Sequence, residues 1–207
     1  MKKQISRTIA FICSVLLSWF HLSGQGQLQL LPGTEKIYAV QNGIHRLVGT
    51  VSFVYQGNTM YCDSAHYNEK AKQVYAYGNV HIQKNGINLY ADSVFYAEKQ
   101  KYAKLWGHVK ARDAAYKMSA DSMDYDAKKG RAIFKSSGKI ESTISDERIT
   151  CERGYFYPSN GSFFFSGTVH YSKADLDVKT DTLQFAYEQQ KLYFLGQTQM
   201  RNDSSQI

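Results

Sequence analysis

Apolar and polar residues alternate along most of the chain, and the alternation repeats at regular intervals. Around Gly78, apolar Val80 and Ile82 occupy every second position, and polar Asn79 and His81 lie between them. The same alternation surrounds five further glycines: Gly49, Gly107, Gly138, Gly167 and Gly196. Together with Gly78 they follow one another at intervals of 29 to 31 residues. A period of two is typical of a strand with one buried face. The glycines are in phase with the apolar positions, so we expect them to form a line along the inner face.

A second strand in each repeat is predicted around an acidic marker 14 residues after the glycine. The markers are Asp63-Ser64, Asp92-Ser93, Asp121-Ser122, Glu152-Arg153 and Asp181-Thr182. The apolar phase changes by one residue at each marker, as between Ala91 and Val94. A one-residue slip that keeps the apolar face indicates a bulge or bend at the marker. Because the acids recur once per unit at a bend, we interpret them as structural residues and not as catalytic or calcium-binding groups.

These patterns predict an all-β protein built from about five two-strand repeats of 29–31 residues. Polar four-residue runs and an Asn-Gly pair separate the strands, and no segment after residue 26 keeps a helical period. We expect ten to twelve strands in one domain over residues 46–201. Residues 27–45 form a lead-in segment with at most one strand, and residues 202–207 form a polar tail.

The N-terminus has the organisation of an export signal. Three cations within residues 1–7 precede the apolar run Thr8–Phe20, and the small residues Gly24 and Gly26 suit a cleavage site. The run of about 13 residues is short for a membrane span, which needs about 20. The pattern predicts a cleaved signal peptide over residues 1–26, with an uncleaved membrane anchor as the alternative.

The net charge and the residue motifs limit the classes of function that we expect. The formal net charge is +7, both signs are scattered along the chain, and no basic stripe suggests a nucleic-acid partner. Histidines lack metal-ligand spacing, and no nucleophile motif is present. We therefore expect no enzyme activity, no metal and no cofactor. Cys62 and Cys151 hold the same position in units three apart, so stacked strands separate them by ~14 Å, too far for a disulfide. We expect both to be small buried residues.

The repeat resembles a known family. Its Ala-Asp-Ser-x-x-Tyr and later Gly-x-Val pattern reads "YCDSAHYNEKAKQVYAYGNVHI" at 61–82, "YADSVFYAEKQKYAKLWGHVKA" at 90–111 and "SADSMDYDAKKGRAIFKSSGKI" at 119–140. This pattern is similar to the OstA-like family of periplasmic lipopolysaccharide-transport proteins, which includes LptA, LptC and the N-terminal domain of LptD. The resemblance implies an open antiparallel β-jellyroll with a V-shaped groove, in which lipid A acyl chains of lipopolysaccharide slide from the inner to the outer membrane.

The resemblance also implies partners and a site. Family members join end to end by strand addition, so we expect other OstA-like domains, or further copies of this chain, as partners. The alternatives are a membrane-anchored adaptor of the same system and a structural β-repeat protein without lipid cargo. The expected lipid contacts are twelve inward apolar residues: Met60, Ile82, Leu89, Leu105, Val109, Met118, Met123, Phe134, Ile140, Phe165, Val169 and Phe194.

Overall fold

A computed structural model describes residues 28–34, 36–40, 43–55, 57–84, 86–112, 114, 116–126, 128–157, 162–186, 189 and 191–202. The predicted signal peptide and residues 203–207 of the predicted tail lie outside the described residues. Within the described part of the chain, no helix has the length and apolar character needed to cross a membrane.

The described residues form thirteen strands. Two short strands come first: β1 (Gln29–Leu30) and β2 (Lys36–Val40). Eleven long strands follow: β3 (Ile44–Tyr55), β4 (Asn58–Asn68), β5 (Gln73–Lys84), β6 (Ile87–Ala97), β7 (Tyr102–Arg112), β8 (Tyr116–Asp126), β9 (Arg131–Ser142), β10 (Arg148–Tyr157), β11 (Ser162–Lys173), β12 (Leu176–Ala186) and β13 (Lys191–Asn202). The predicted lead-in segment thus contributes two short strands, and β3 already begins within it.

All strands belong to one antiparallel sheet in which each long strand pairs with its neighbours in sequence. At the first edge, β2 pairs with the first half of β3 and β1 pairs with its second half. At the last edge, β13 pairs with β12 alone among the described strands. This order confirms the predicted all-β repeat architecture, in which two strands form one unit.

Every pairing between long strands contains one bulge, at the acidic marker. In the β7–β8 pairing, Trp106 faces Ser122 and Val109 faces Ala120, so two residues of β7 oppose Asp121 alone. The acid and the residue after it both turn outward, while the residues that flank them are buried. The predicted slip at the marker is therefore confirmed. The extra residue lies on the strand that carries the repeat glycine, because three consecutive residues of that strand turn outward.

The prediction that the glycines line the inner face is wrong for most of them. Gly107 has a φ of +73°, and a Cβ atom added to it would overlap the carboxylate of Asp92, which is exposed on the outer face. The next residue completes the contact, because His108 Nδ1 lies 2.8 Å from Asp92 Oδ2. We call this arrangement the acid–glycine clasp. It recurs at Asp63, where Asn79 Nδ2 donates to Oδ2 over 2.9 Å, and at Asp181, where the Gln197 backbone N–H donates over 2.9 Å.

The fourth unit departs from the pattern, and the predicted position of its glycine within the repeat is wrong. The bulge opposite Glu152 falls at residues 136–137, and Ser136 has a φ of +59° and is exposed. Ser136 thus takes the position of the clasp glycine, 29 residues after Gly107. Gly138 lies two residues further on, is buried and has no positive φ. The two extra residues of this unit lie in the longer β9–β10 loop.

The bulges bend the sheet so that its two halves face each other. Tyr55 at the end of β3 pairs with the start of β4, nine residues before Tyr67. A straight strand would separate these rings by ~30 Å, yet their centroids are 6.4 Å apart. Tyr55 also packs against Tyr96 at the end of β6, with 5.5 Å between centroids. The halves on either side of the bulges therefore form two walls around one core. The predicted fold class, an antiparallel β-jellyroll, is confirmed.

Candidate functional site

All twelve predicted lipid-contact residues point into the space between the walls. Eleven are buried in the core, and Phe194 on β13 is half-buried and packs against it. Several are direct neighbours across strands: Met60 pairs with Ile82, and Leu105 pairs with Met123. Alternation with one buried face explains this placement, since every second side chain of each long strand turns to the same side. Contact of these residues with lipid is a prediction that enters the proposal below.

The middle of this interior is shaped by the irregular unit. Phe134 pairs with Gly154, and Cβ atoms added to Gly138 or Gly154 would overlap its ring. Both glycines therefore leave space that the aromatic ring occupies. The ring centroid of Phe134 lies 6.1 Å from that of Phe165 on β11. Gly138 and Gly154 thus do face inward, as predicted for the first of them, but their function is to admit one bulky side chain.

The space between the walls is filled by the protein's own side chains. Leu105, Val109 and Phe165 have 0% relative exposure. One apolar cavity, lined in part by Phe53, Met60 and Tyr96, measures about 10 Å³. That volume is at the lower limit for one water molecule and far below that of an acyl chain. The open groove that the resemblance implies therefore stays a prediction, and acyl chains need the walls to separate before they enter.

Polar contacts hold parts of the sheet together at two places beside the interior. Near the N-terminal end, the Tyr55 hydroxyl donates to Glu98 Oε2 over 2.5 Å and joins the end of β3 to the turn after β6. Burial, followed by the hydrogen bond to Glu98, raises the pKa of Tyr55 above its ordinary value. We call this contact the Tyr55–Glu98 bond. Separation of the walls at this end must break this hydrogen bond as well as the ring contacts of Tyr55 with Tyr67 and Tyr96.

Further along the sheet, in the β9–β10 loop, the buried carboxylate of Glu147 accepts hydrogen bonds from several groups. Tyr171 donates over 3.0 Å, and Tyr116 and Lys173 donate over 3.5 Å each. Burial, followed by the nearby Glu147 carboxylate, raises the pKa of Tyr171. Because two hydroxyls and an ammonium group share this carboxylate, the β9–β10 loop is held against the core. Sequence reasoning missed Glu147, since a single acid in a loop carries no periodic signal.

The last strand leaves the inner face uncovered. On β13, Met200 is 60% exposed although it occupies an inward position opposite Val178. The neighbouring inward residues Leu192 and Phe194 are half-buried. Phe194 still contacts the facing wall through Tyr171, with ring centroids 5.7 Å apart. The apolar interior therefore continues to the edge of the described sheet and opens there.

The cysteines occupy the interior as predicted. Cys62 and Cys151 are free and buried at small-residue positions of the core. Burial raises the pKa of each thiol to about 12. In the part of the chain that the structure describes, no group of three or more His, Cys, Asp or Glu residues is arranged to hold a metal ion.

Comparison with known proteins decides the family. The family model for OstA-like proteins matches residues 33–181. The chain belongs to the OstA-like protein family. The OstA-like match begins at the turn before β2 and ends at the last acidic marker, so it includes the acids of all five markers and both walls. A search of curated proteins found no significant match.

A solved structure also aligns with this OstA-like chain. LptH from Pseudomonas aeruginosa, described as the LptA-homologous periplasmic component of the conserved lipopolysaccharide transport device, is 11% identical. The alignment covers 69% of this chain and 92% of LptH, with a TM-score of 0.39. At this score the likeness carries no weight for function.

Proposed function

We propose that this protein is a periplasmic bridge component that carries lipopolysaccharide between the inner and the outer membrane, with the acyl chains held between the two walls. The observation that carries the proposal is the continuous apolar interior, which reaches an uncovered end at β13, where Met200 is 60% exposed. Membership of the OstA-like family supports this function. Burial of one methylene contributes ~0.8 kcal/mol, so an apolar interior of this length suits long acyl chains.

Lipid entry requires the filled interior to open. The two walls are joined by side-chain packing and a few polar contacts, such as the Tyr55–Glu98 bond, while the backbone ladder runs along the sheet and not across the interior. Separation of the walls therefore breaks no strand pairing. Acyl chains would replace the side-chain contacts that are lost, so that apolar surface stays covered throughout.

Site-specific photo-crosslinking in cells with a lipopolysaccharide-containing envelope tests this function. Benzoylphenylalanine at Phe194 and at Phe165 should capture lipopolysaccharide, because both side chains face the interior. Tyr193 and Phe164 are the matched controls, since each precedes the inner position by one residue and faces outward. Equal capture from both faces would refute the proposal. Purified protein without bound lipid by mass spectrometry would favour the structural repeat protein, and N-terminal sequencing of the mature protein would reveal a retained anchor.

We also propose that β13 receives another OstA-like domain, or a second copy of this chain, by strand addition. The outer edge of β13 has no partner strand among the described residues, and unpaired edges accept further strands. Met200→Lys should abolish end-to-end association in light scattering. Ile144→Lys, at an exposed apolar loop residue, is the control and should leave association unchanged. Loss of association in both variants, or in neither, contradicts this partner surface.

A further inference from the structure

A concavity of about 720 Å³ lies on the outer face of β9 and β10, on the opposite side of the sheet from the interior. Its lining includes three cationic side chains, Arg131, Lys135 and Arg153, together with Tyr155. The volume is within the range of small-molecule sites, which measure roughly 300–1,000 Å³. The concavity is therefore large enough for a ligand of several heavy atoms and is separate from the proposed lipid path.

Two of the three cations lack a compensating partner in the described part of the chain. Lys135 pairs with Asp124 at 2.6 Å. Arg153 has neither an ion pair nor a hydrogen bond from its side chain there, and Arg131 has a buried Nε atom without a hydrogen-bond partner. Glu152, the acid in the lining, instead accepts a hydrogen bond from Thr168 over 3.3 Å. A buried donor without a partner is costly, so an anion beside Arg131 would supply what the protein does not.

The cationic lining of the concavity is particular to the irregular fourth unit. Arg153 follows the acidic marker where the other units carry a small hydroxyl residue: Ser64, Ser93, Ser122 and Thr182. Lys135 precedes the bulge at the position that Tyr77 and Trp106 hold in the second and third units. Exchange of a large aromatic ring for a lysine, and of a serine for an arginine, gives this part of the outer face its positive charge.

We propose that this concavity binds a phosphorylated sugar. Arginine presents paired donors that match the oxygens of a phosphate group, so Arg131 and Arg153 would hold the phosphate. Tyr155 and Ile133 line the same concavity and provide apolar surface against the sugar ring. A bare phosphate ion would fill only a small part of 720 Å³, so the volume favours the sugar ester. The sugar phosphate is either free or the headgroup of a glycolipid.

Isothermal titration calorimetry with glucose 1-phosphate, glucose and inorganic phosphate tests the site. Glucose 1-phosphate should bind more tightly than either of the other two. Arg153→Ser places the residue of the other units at this exposed position and should weaken binding about tenfold or more. Lys179→Ser removes the same charge from the outer face of β12 and should leave binding unchanged. Equal losses in both variants, no binding of glucose 1-phosphate, or equally tight binding of inorganic phosphate would overturn the proposal.

Vesicles that carry a phosphorylated glycolipid distinguish the two sources of the ligand. Sedimentation of the protein with these vesicles, lost in Arg153→Ser, identifies a lipid headgroup, whereas binding of the soluble ester alone identifies a free sugar phosphate. Both results support the site. Because glucose 1-phosphate has no acyl chain, its binding does not depend on the interior. Failure here would leave the crosslinking result at Phe194 unaffected, and failure of crosslinking would leave this site unaffected.

Discussion

Replacement of Gly107 by alanine tests whether the clasp sets the bend of each strand. Gly107 has a φ of +73°, and an added Cβ atom would overlap the Asp92 carboxylate. The substitution therefore has two separate effects. It forces a side chain into the left-handed backbone region, and it displaces the carboxylate that pairs with His108 at 2.8 Å.

The magnitude follows from these two effects. A left-handed conformation costs a residue with a Cβ atom about 1–2 kcal/mol. His108 and Asp92 are largely exposed, so loss of their pairing adds at most about 1 kcal/mol. We expect Gly107→Ala to lower the free energy of unfolding by about 1–3 kcal/mol. Gly86→Ala is the matched control, because Gly86 has a φ of +81° but nothing within 4 Å of an added Cβ atom. Gly86→Ala should lower the free energy of unfolding only by the cost of the left-handed backbone conformation.

Urea unfolding of four proteins, the wild type, Gly107→Ala, Asp92→Ala and the double variant, measures the coupling between the two positions. Removal of the carboxylate also removes the overlaps with Asp92 Oδ2 and Cγ and leaves only the one with its Cβ atom. The double variant should therefore be about 1 kcal/mol more stable than the sum of the single changes predicts. Full additivity, or a Gly107→Ala effect no larger than that of Gly86→Ala, would refute the clasp as the origin of the bend.

Three further predictions concern the interior. Phe134→Ala should lower the free energy of unfolding by about 3–5 kcal/mol in urea, and Phe134→Leu by clearly less; equal losses would show that the ring does not fill the space. Burial keeps the thiols of Cys62 and Cys151 protonated in the fold up to a pKa of about 12, against an ordinary 9.0. Thiols of the unfolded chain ionise at a lower pH than the buried thiols of the folded protein. The free energy of unfolding therefore falls from about pH 9 upward, by about 1.4 kcal/mol per pH unit for each thiol. Alanine at both positions should flatten this decline in pH-dependent unfolding, and an unchanged slope would contradict it. Tyr55→Phe removes the hydrogen bond to Glu98 and should cost about 1–2 kcal/mol and increase lipid loading by mass spectrometry; a more stable variant with less lipid would contradict the role of this bond in closing the walls.

The strands, the buried face and the slip at each acidic marker could be predicted because each depends on local alternation. Val80 and Ile82 are buried and Asn79 is exposed, as a period of two requires. The folding of the sheet into two walls could not be derived from alternation. Contact between Tyr55 and Tyr96 depends on how sharply every bulge bends its strand, which the spacing of residues does not specify.

The fourth unit illustrates a second limit of prediction from the sequence. Gly138 matches the glycine pattern in sequence, yet Ser136 takes the backbone conformation of the clasp. Glycine satisfies two different physical requirements, a left-handed backbone at Gly107 and space for a neighbouring ring at Gly138. A single sequence does not separate the two. The interior residues were predicted nonetheless, because a shift of two positions keeps the same face.

The irregular unit also has a consequence for how this chain finds its fold. Units that share length and clasp can pair with the wrong neighbour during folding, since a mispaired hairpin satisfies the same backbone contacts. The ring of Phe134 occupies the space beside Gly154, and the residues that hold the corresponding position in other units, such as Val94 and Leu183, have side chains that would fill this space. An alignment that places one of these side chains in the space beside Phe134 is therefore disfavoured. A break in the repetition near the middle of the sheet therefore helps to fix which strands pair with each other.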